Sequence, residues 1–219
     1  MKDFFEKCEA AYFSGYPIIS DEEYDALVAK WNHQSLGHKV TDGVPHLYKM
    51  YSLQKYFQLS DAPNTSEYIC TPKLDGAAVS LLYVNGHFAL GLTRGDGNLG
   101  RDVTTKLEEL VPATLPMSGS VQITGEVVLP SFVPNARNAA AGLLNVKDIH
   151  EFRQRSQDLI FVAYDLQYEG DYSDYKSAMF ALAHEGFNVV TDFDATEYPT
   201  DGLVYRLRDQ RAFKKMGYT

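Results

Sequence analysis

At 219 residues, with 45% apolar and 22% charged residues, the chain can build one full-sized core with a small appendage, but not several such cores. No apolar run approaches the ~18 residues of a membrane-spanning helix, and the start Met1-Lys2-Asp3-Phe4-Phe5-Glu6-Lys7 mixes acids and bases unlike any secretory or transit signal, so a soluble, cytoplasmic protein with no membrane contact is expected. A net charge of −9 works against unaided grip on a nucleic-acid backbone, which relies on clustered Lys and Arg displacing counterions.

In chain order, the N-terminal segment reads as a helical hairpin. Phe4, Phe5, Cys8, Ala11 and Tyr12 recur at near-helical spacing, Gly15 and Pro17 break the pattern, and Ser20 with Glu23 forms a capping box that opens a second helix toward Gly37. Residues 36–48 lose period and gather Gly, Thr, Asp and Pro, so domains are expected at 1–44 and 45–219. Strands are then expected at Tyr68 to Pro72, Ala77 to Val84 and His87 to Arg94, the last two joined by the hairpin signal Asn85-Gly86. Further strands are expected at Val121 to Leu129, Leu159 to Gln167, Phe187 to Val190 and Leu203 to Leu207. Helices are expected at Asp102 to Leu110, Asn138 to Asn145, Tyr172 to Glu185 and Asp209 to Met216. Hairpins interspersed with helices, without strict β-α alternation, point to an α+β fold of antiparallel sheets. Cys8 and Cys70 lack the spacing of a zinc site or redox pair and are expected as buried thiols.

The sharpest chemical feature is Lys73-Leu74-Asp75-Gly76 between two strands. It reads either as a solvated turn or as the seat of a nucleophilic lysine, whose amine must be neutral to attack phosphorus and therefore needs burial and nearby cations. Arg94, Arg137 and Arg206 are the candidate cations. Thr93-Arg94-Gly95-Asp96-Gly97 closes the following hairpin, with glycines that let backbone approach a ligand. Gly125-Glu126-Val127 places one carboxylate in an apolar strand, where it could equally face solvent. Asp201-Gly202-Leu203-Val204-Tyr205-Arg206 sets charge at both ends of another strand.

Taken in order, Lys73-x-Asp75-Gly76, Arg94, Glu126 and Asp201-Gly202-x-Val204 resemble the motif series of the covalent nucleotidyltransferases, which comprise DNA ligases, RNA ligases and capping enzymes. Longer stretches narrow the resemblance to the NAD-dependent DNA ligases: residues 73–81, Thr93 to Gly97, Ala136-Arg137-Asn138-Ala139-Ala140-Ala141-Gly142, Ile19 to Asp25, and Met50-Tyr51-Ser52-Leu53. The resemblance implies an ATP-grasp-like ligase adenylation core behind a small helical segment that binds nicotinamide mononucleotide. It implies NAD as adenylate donor, Lys73 as nucleophile, and Tyr12, Asp21, Tyr24 and Asp25 as nicotinamide-side contacts. It further implies Ser52, Leu53 and Thr71 at the adenine edge, Tyr164 stacked on the base with Val204 on its other face, and Glu126 on the ribose. Asp75 and Asp201 would be active-site carboxylates organising the water shell of Mg2+, and Arg94, Arg137 and Arg206 would meet the phosphates; no direct metal ligands are assigned.

The resemblance also implies a role in DNA replication and repair, with nicked DNA engaged through a further domain or subunit. A second ligase subunit is expected to carry the last motif and the OB-fold, and the short connections suggest a compact, phage-type enzyme. Against the family pattern, Phe13 stands for the usual His, Thr71 for Glu, Arg206 for Lys and Asn145 for Arg. The alternatives are an RNA ligase or capping-type enzyme using ATP or GTP, and a non-catalytic NAD-binding subunit.

Overall fold

The computed structural model describes Cys8 and residues 43–56, 65–170, 172 and 174–216. The hairpin expected over 1–44, with Tyr12, Phe13, Asp21, Tyr24 and Asp25, lies outside the described residues apart from Cys8, which is helical and buried.

Strands β1 (Val44–Pro45) to β9 (Thr200–Leu207) form an α+β fold with mixed sheets. The main sheet has the order β4-β3-β6-β7-β8, where β3 is Ala77–Val84, β4 His87–Thr93, β6 Ser120–Val128, β7 Ile160–Tyr168 and β8 Asn188–Val189. The β3–β4 hairpin turns at Asn85 (φ 48°) and Gly86 (φ 83°), the two positive φ values that a type I′ turn requires. One face of this sheet, with Val79, Leu81, Tyr83, Ile123, Val127 and Phe161, forms the core. Helices α2 (Ala136–Leu144), α3 (Ile149–Arg155) and α4 (Tyr175–His184) join it through Ala140, Leu143, Phe152, Ala178, Met179 and Leu182. Along α4 the buried Tyr175, Ala178, Met179 and Leu182 follow i, i+3, i+4, i+7, and the Asp174 carboxylate caps its start by accepting from the Lys176 N–H.

The opposite face of the sheet is not covered by these helices. A second sheet pairs β2 (Tyr68–Leu74) with β9, and β1 pairs with β5 (Leu99–Gly100), which ties the chain before the core to the glycine-rich turn after β4. Among the described residues, no helix is long and apolar enough to cross a membrane.

Several expectations are corrected. Strand β8 runs parallel to β7, because α4 carries the chain back across the sheet before it pairs. Strand β9 starts at Thr200, three residues earlier than its apolar part suggests, since pairing with β2 resumes at Leu74 beyond a bulge at the polar Asp201. Helix α1 is only Thr104–Leu107, and α3 is an additional helix whose seven residues are too few to show a period. Cys70 is exposed, not buried, because it points outward from β2 between the buried Ile69 and Thr71.

Candidate active site

Residues directly opposite on neighbouring strands share a face, so the register defines the floor of the uncovered side. Ala78 pairs with Glu126, Glu126 pairs with Val162, and the Arg94 N–H donates to the Ala78 carbonyl at 2.9 Å. Arg94, Ala78, Glu126 and Val162 therefore form one row across the sheet, with a guanidinium and a carboxyl on either side of an alanine. The next row is Leu92, Ser80, Thr124 and Asp165.

Two strand irregularities aim side chains at this floor. Pro72 pairs with Leu203 and Leu74 with Thr200, so Asp201 and Gly202 together oppose Lys73, and this bulge brings the Asp201 carboxylate onto the lysine. Lys73 Nζ donates to Asp201 Oδ1 at 2.7 Å and Oδ2 at 2.6 Å. On β7, Thr124 pairs with Asp165 and Gly125 with Ala163, which leaves Tyr164 as the extra residue. Burial and the Glu126 carboxylate push the Tyr164 hydroxyl well above the usual phenol range, while Arg94 pulls it down.

Between Lys73 and the floor lies Gly76. A Cβ there would meet the Val127 carbonyl oxygen at 2.3 Å and Glu126 Cγ at 3.0 Å, so only glycine lets the β2–β3 turn cross β6 this closely. The crossing carries the Gly76 N–H onto the Glu126 carboxyl. Asp75 accepts from Arg137 Nη1 at 2.8 Å at the start of α2. Burial pushes the Glu126 carboxyl up to about 8, opposed by Arg137, the Gly76 N–H and Lys73 and reinforced by Asp75. Four groups that the sequence only suggested as partners thus act on one carboxyl.

Segment 44–52 straps this face. The His46 Nε2–H donates to the Arg94 carbonyl at 3.0 Å, which leaves Nδ1 of the neutral ring to accept from the Ser80 hydroxyl at 2.7 Å. The Tyr48 N–H donates to Gln122 Oε1 and Gln122 Nε2 donates back to the Tyr48 carbonyl, both at 2.8 Å. At its end Ser52 Oγ accepts from Arg94 Nη2 at 2.6 Å.

The structure thus gathers Lys73, Asp75, Arg94, Glu126, Arg137, Tyr164, Asp201 and Ser52. Thr71, buried, and Val204, half-buried, oppose each other on the paired strands β2 and β9, while Leu53 is exposed. Arg206 reaches the second row of the floor, at Asp165. Its guanidinium donates to Asp165 at 2.7 Å and Gln210 at 3.3 Å and packs over the rings of Tyr175 (4.6 Å) and Phe213 (4.3 Å). Asn145 accepts from Arg101 Nη1 at 2.5 Å. Sequence reasoning missed His46, Gln122 and Asp165. The alternation Gln122-x-Thr124-x-Glu126 in a strand of apolar neighbours is the signal that could have found Gln122.

The fold and this cleft define a protein of the nucleotidyltransferase adenylation class. Within that class the chain carries an NAD-dependent DNA ligase adenylation domain: residues 40–134 match the family of that description. Similar proteins include the DNA ligase of Caldicellulosiruptor bescii, 32% identical over 83% of this chain and 34% of that protein. The DNA ligases of Aliarcobacter butzleri and Campylobacter jejuni subsp. doylei are each 26% identical, over 96% and 100% of this chain and 42% of each relative. The chain spans less than half the length of these relatives.

Proposed function

We propose that the chain is the adenylation component of an NAD-dependent DNA ligase, with Lys73 Nζ as nucleophile toward the α-phosphorus of NAD. The observation that carries this reading is the Lys73 amine held at 2.6 Å on Asp201, within the field of Glu126 and beside the Asp75–Arg137 pair. An ammonium has no lone pair, so one proton must leave Nζ before attack, with the Asp201 carboxylate in contact to take it, and a second is lost to solvent as the N–P bond forms. The bond from phosphorus to the bridging oxygen of the dinucleotide breaks, nicotinamide mononucleotide departs, and lysine-AMP remains.

Arg94 and Arg137 neutralise charge on the phosphates, the Glu126 carboxyl takes the ribose hydroxyl, and Tyr164 with Val204 flanks the base. Tyr12, Asp21, Tyr24 and Asp25 serve the nicotinamide half, where carboxylates and an aromatic face suit a cationic ring. The donor set fits NAD: Arg94, a sugar-binding carboxyl and a ring belong to the sheet floor, and Arg137 stands beside them at Asp75. It does not fit a directly bound magnesium ion. Asp75 and Asp201 are each tied to a cation, and among the described residues no three His, Cys, Asp or Glu side chains gather around one point.

In the complete reaction AMP passes to the 5′-phosphate of a nick and the 3′-hydroxyl displaces it. The net charge of −9 supports a reading in which a further domain or a second subunit grips the DNA. The test is intact mass after incubation with NAD or with ATP. A gain of one AMP from NAD, lost in Lys73→Ala, is expected; a gain from ATP alone, or an equal gain in Lys73→Ala, would overturn the reading.

A further inference from the structure

Gln122 is 1% exposed on the floor of the cleft, yet it takes no part in the chemistry proposed above. A buried amide must spend its hydrogen bonds within the protein, and Gln122 spends them on segment 44–52. Its Oε1 and Nε2 pair with the N–H and carbonyl of Tyr48 as a neighbouring strand would, and Nε2 also reaches Gln167 Oε1 at 3.3 Å. His46, two residues before Tyr48, supplies the second clamp, to Ser80 and the Arg94 carbonyl. Met50 adds a third, its N–H donating to Gly97 at 2.9 Å. Beyond the clamps the chain delivers Ser52 to the Arg94 guanidinium, so the strap holds Arg94 at both ends, by its carbonyl and by its side chain.

We infer that Gln122 and His46 are positioning residues for adenylation: by clamping the strap to the sheet they fix Arg94 for the phosphates through Ser52. The inference rests on the proposed adenylation reaction. An arginine side chain loses much rotamer freedom when held, and the strap removes that freedom before substrate arrives. Loosening the strap therefore weakens substrate binding more than the bond-making step.

The test uses the full chain, stripped of AMP with nicotinamide mononucleotide, and follows lysine-AMP formation against NAD concentration. Gln122→Met, which keeps the volume and removes the donors and acceptors, is expected to raise the half-saturating NAD concentration about tenfold with the maximal rate within about twofold. His46→Phe should shift in the same direction. In Ser52→Ala, which already frees the guanidinium, Gln122→Met should add little, because the two changes break one chain of contacts. An unchanged half-saturation in both clamp variants, or effects of Gln122→Met and Ser52→Ala that multiply, would overturn the inference. Hydrogen exchange separates this from failure of the reaction itself. If wild type takes no AMP from NAD, the proposed function fails, whereas the strap inference still predicts slow exchange at Tyr48 and Met50 that becomes fast in Gln122→Met. Equal exchange in the two proteins would end it.

Discussion

Strand β9 carries an ion pair at each end, and the two differ in almost everything except residue type. Near its start Asp201 meets Lys73 with side chains 41% and 35% exposed; near its end Arg206 meets Asp165 with both at 14%. The first pair is at the mouth of the cleft, screened by water and held by one bulge, so its contribution to stability is small and its proton can be exchanged with solvent and substrate. The second is covered on both faces by Tyr175 and Phe213 and joins β9, β7 and the helix α5 (Gln210–Met216). Burial separates the two: the exposed pair is open to solvent, and the enclosed one links the small sheet to the large one.

The comparison is broken most sharply by removing one partner from the enclosed pair. Arg206→Met leaves Asp165 buried without its cation and should cost roughly 3–5 kcal/mol in denaturant unfolding. A loss under ~1 kcal/mol would place Arg206 with the reactive group, as the family resemblance suggests.

The carboxyl between the two pairs is next. Glu126 has its folded-state pKa raised from an ordinary value near 4.5 to about 8, so the folded protein holds a proton that the unfolded chain gives up. Its contribution is present in full below pH 4.5 and is lost as the pH rises toward 8, by on the order of 5 kcal/mol. Unfolding free energy measured from pH 5 to 9 should fall accordingly in wild type and stay flatter in Glu126→Gln; parallel curves for the two proteins would contradict the assignment.

The smallest effect belongs to the exposed pair. Lys73→Ala should change stability by no more than ~1 kcal/mol while removing all AMP uptake, and a large destabilisation would mean that Lys73 is a structural residue.

Much of this was legible in the sequence, and the limits have physical causes. Strand β3 lies where Ala77 to Val84 was expected, because its alternation and the Asn85-Gly86 turn are local signals. The order of Lys73, Arg94, Glu126 and Asp201 pointed to one site; the registers set Asp201 opposite Lys73 on one sheet and Arg94 in the row of Glu126 on the other. The partners of Arg206 were hidden, since Asp165, Tyr175 and Phe213 come from three other elements and no spacing along β9 predicts them. The role of Gln122 depends on a strap 74 positions away in sequence, and the exposure of Cys70 depends on which face of β2 packs. Helix α3 was too short to show a period.

The most direct measurement is to locate the nucleotide. After incubation with NAD, peptide mapping of the whole chain should find AMP on Lys73 and nowhere else, with one nicotinamide mononucleotide released for each AMP bound. AMP on another lysine, such as Lys49 or Lys55, or nicotinamide mononucleotide released without any labelled peptide, would contradict the account.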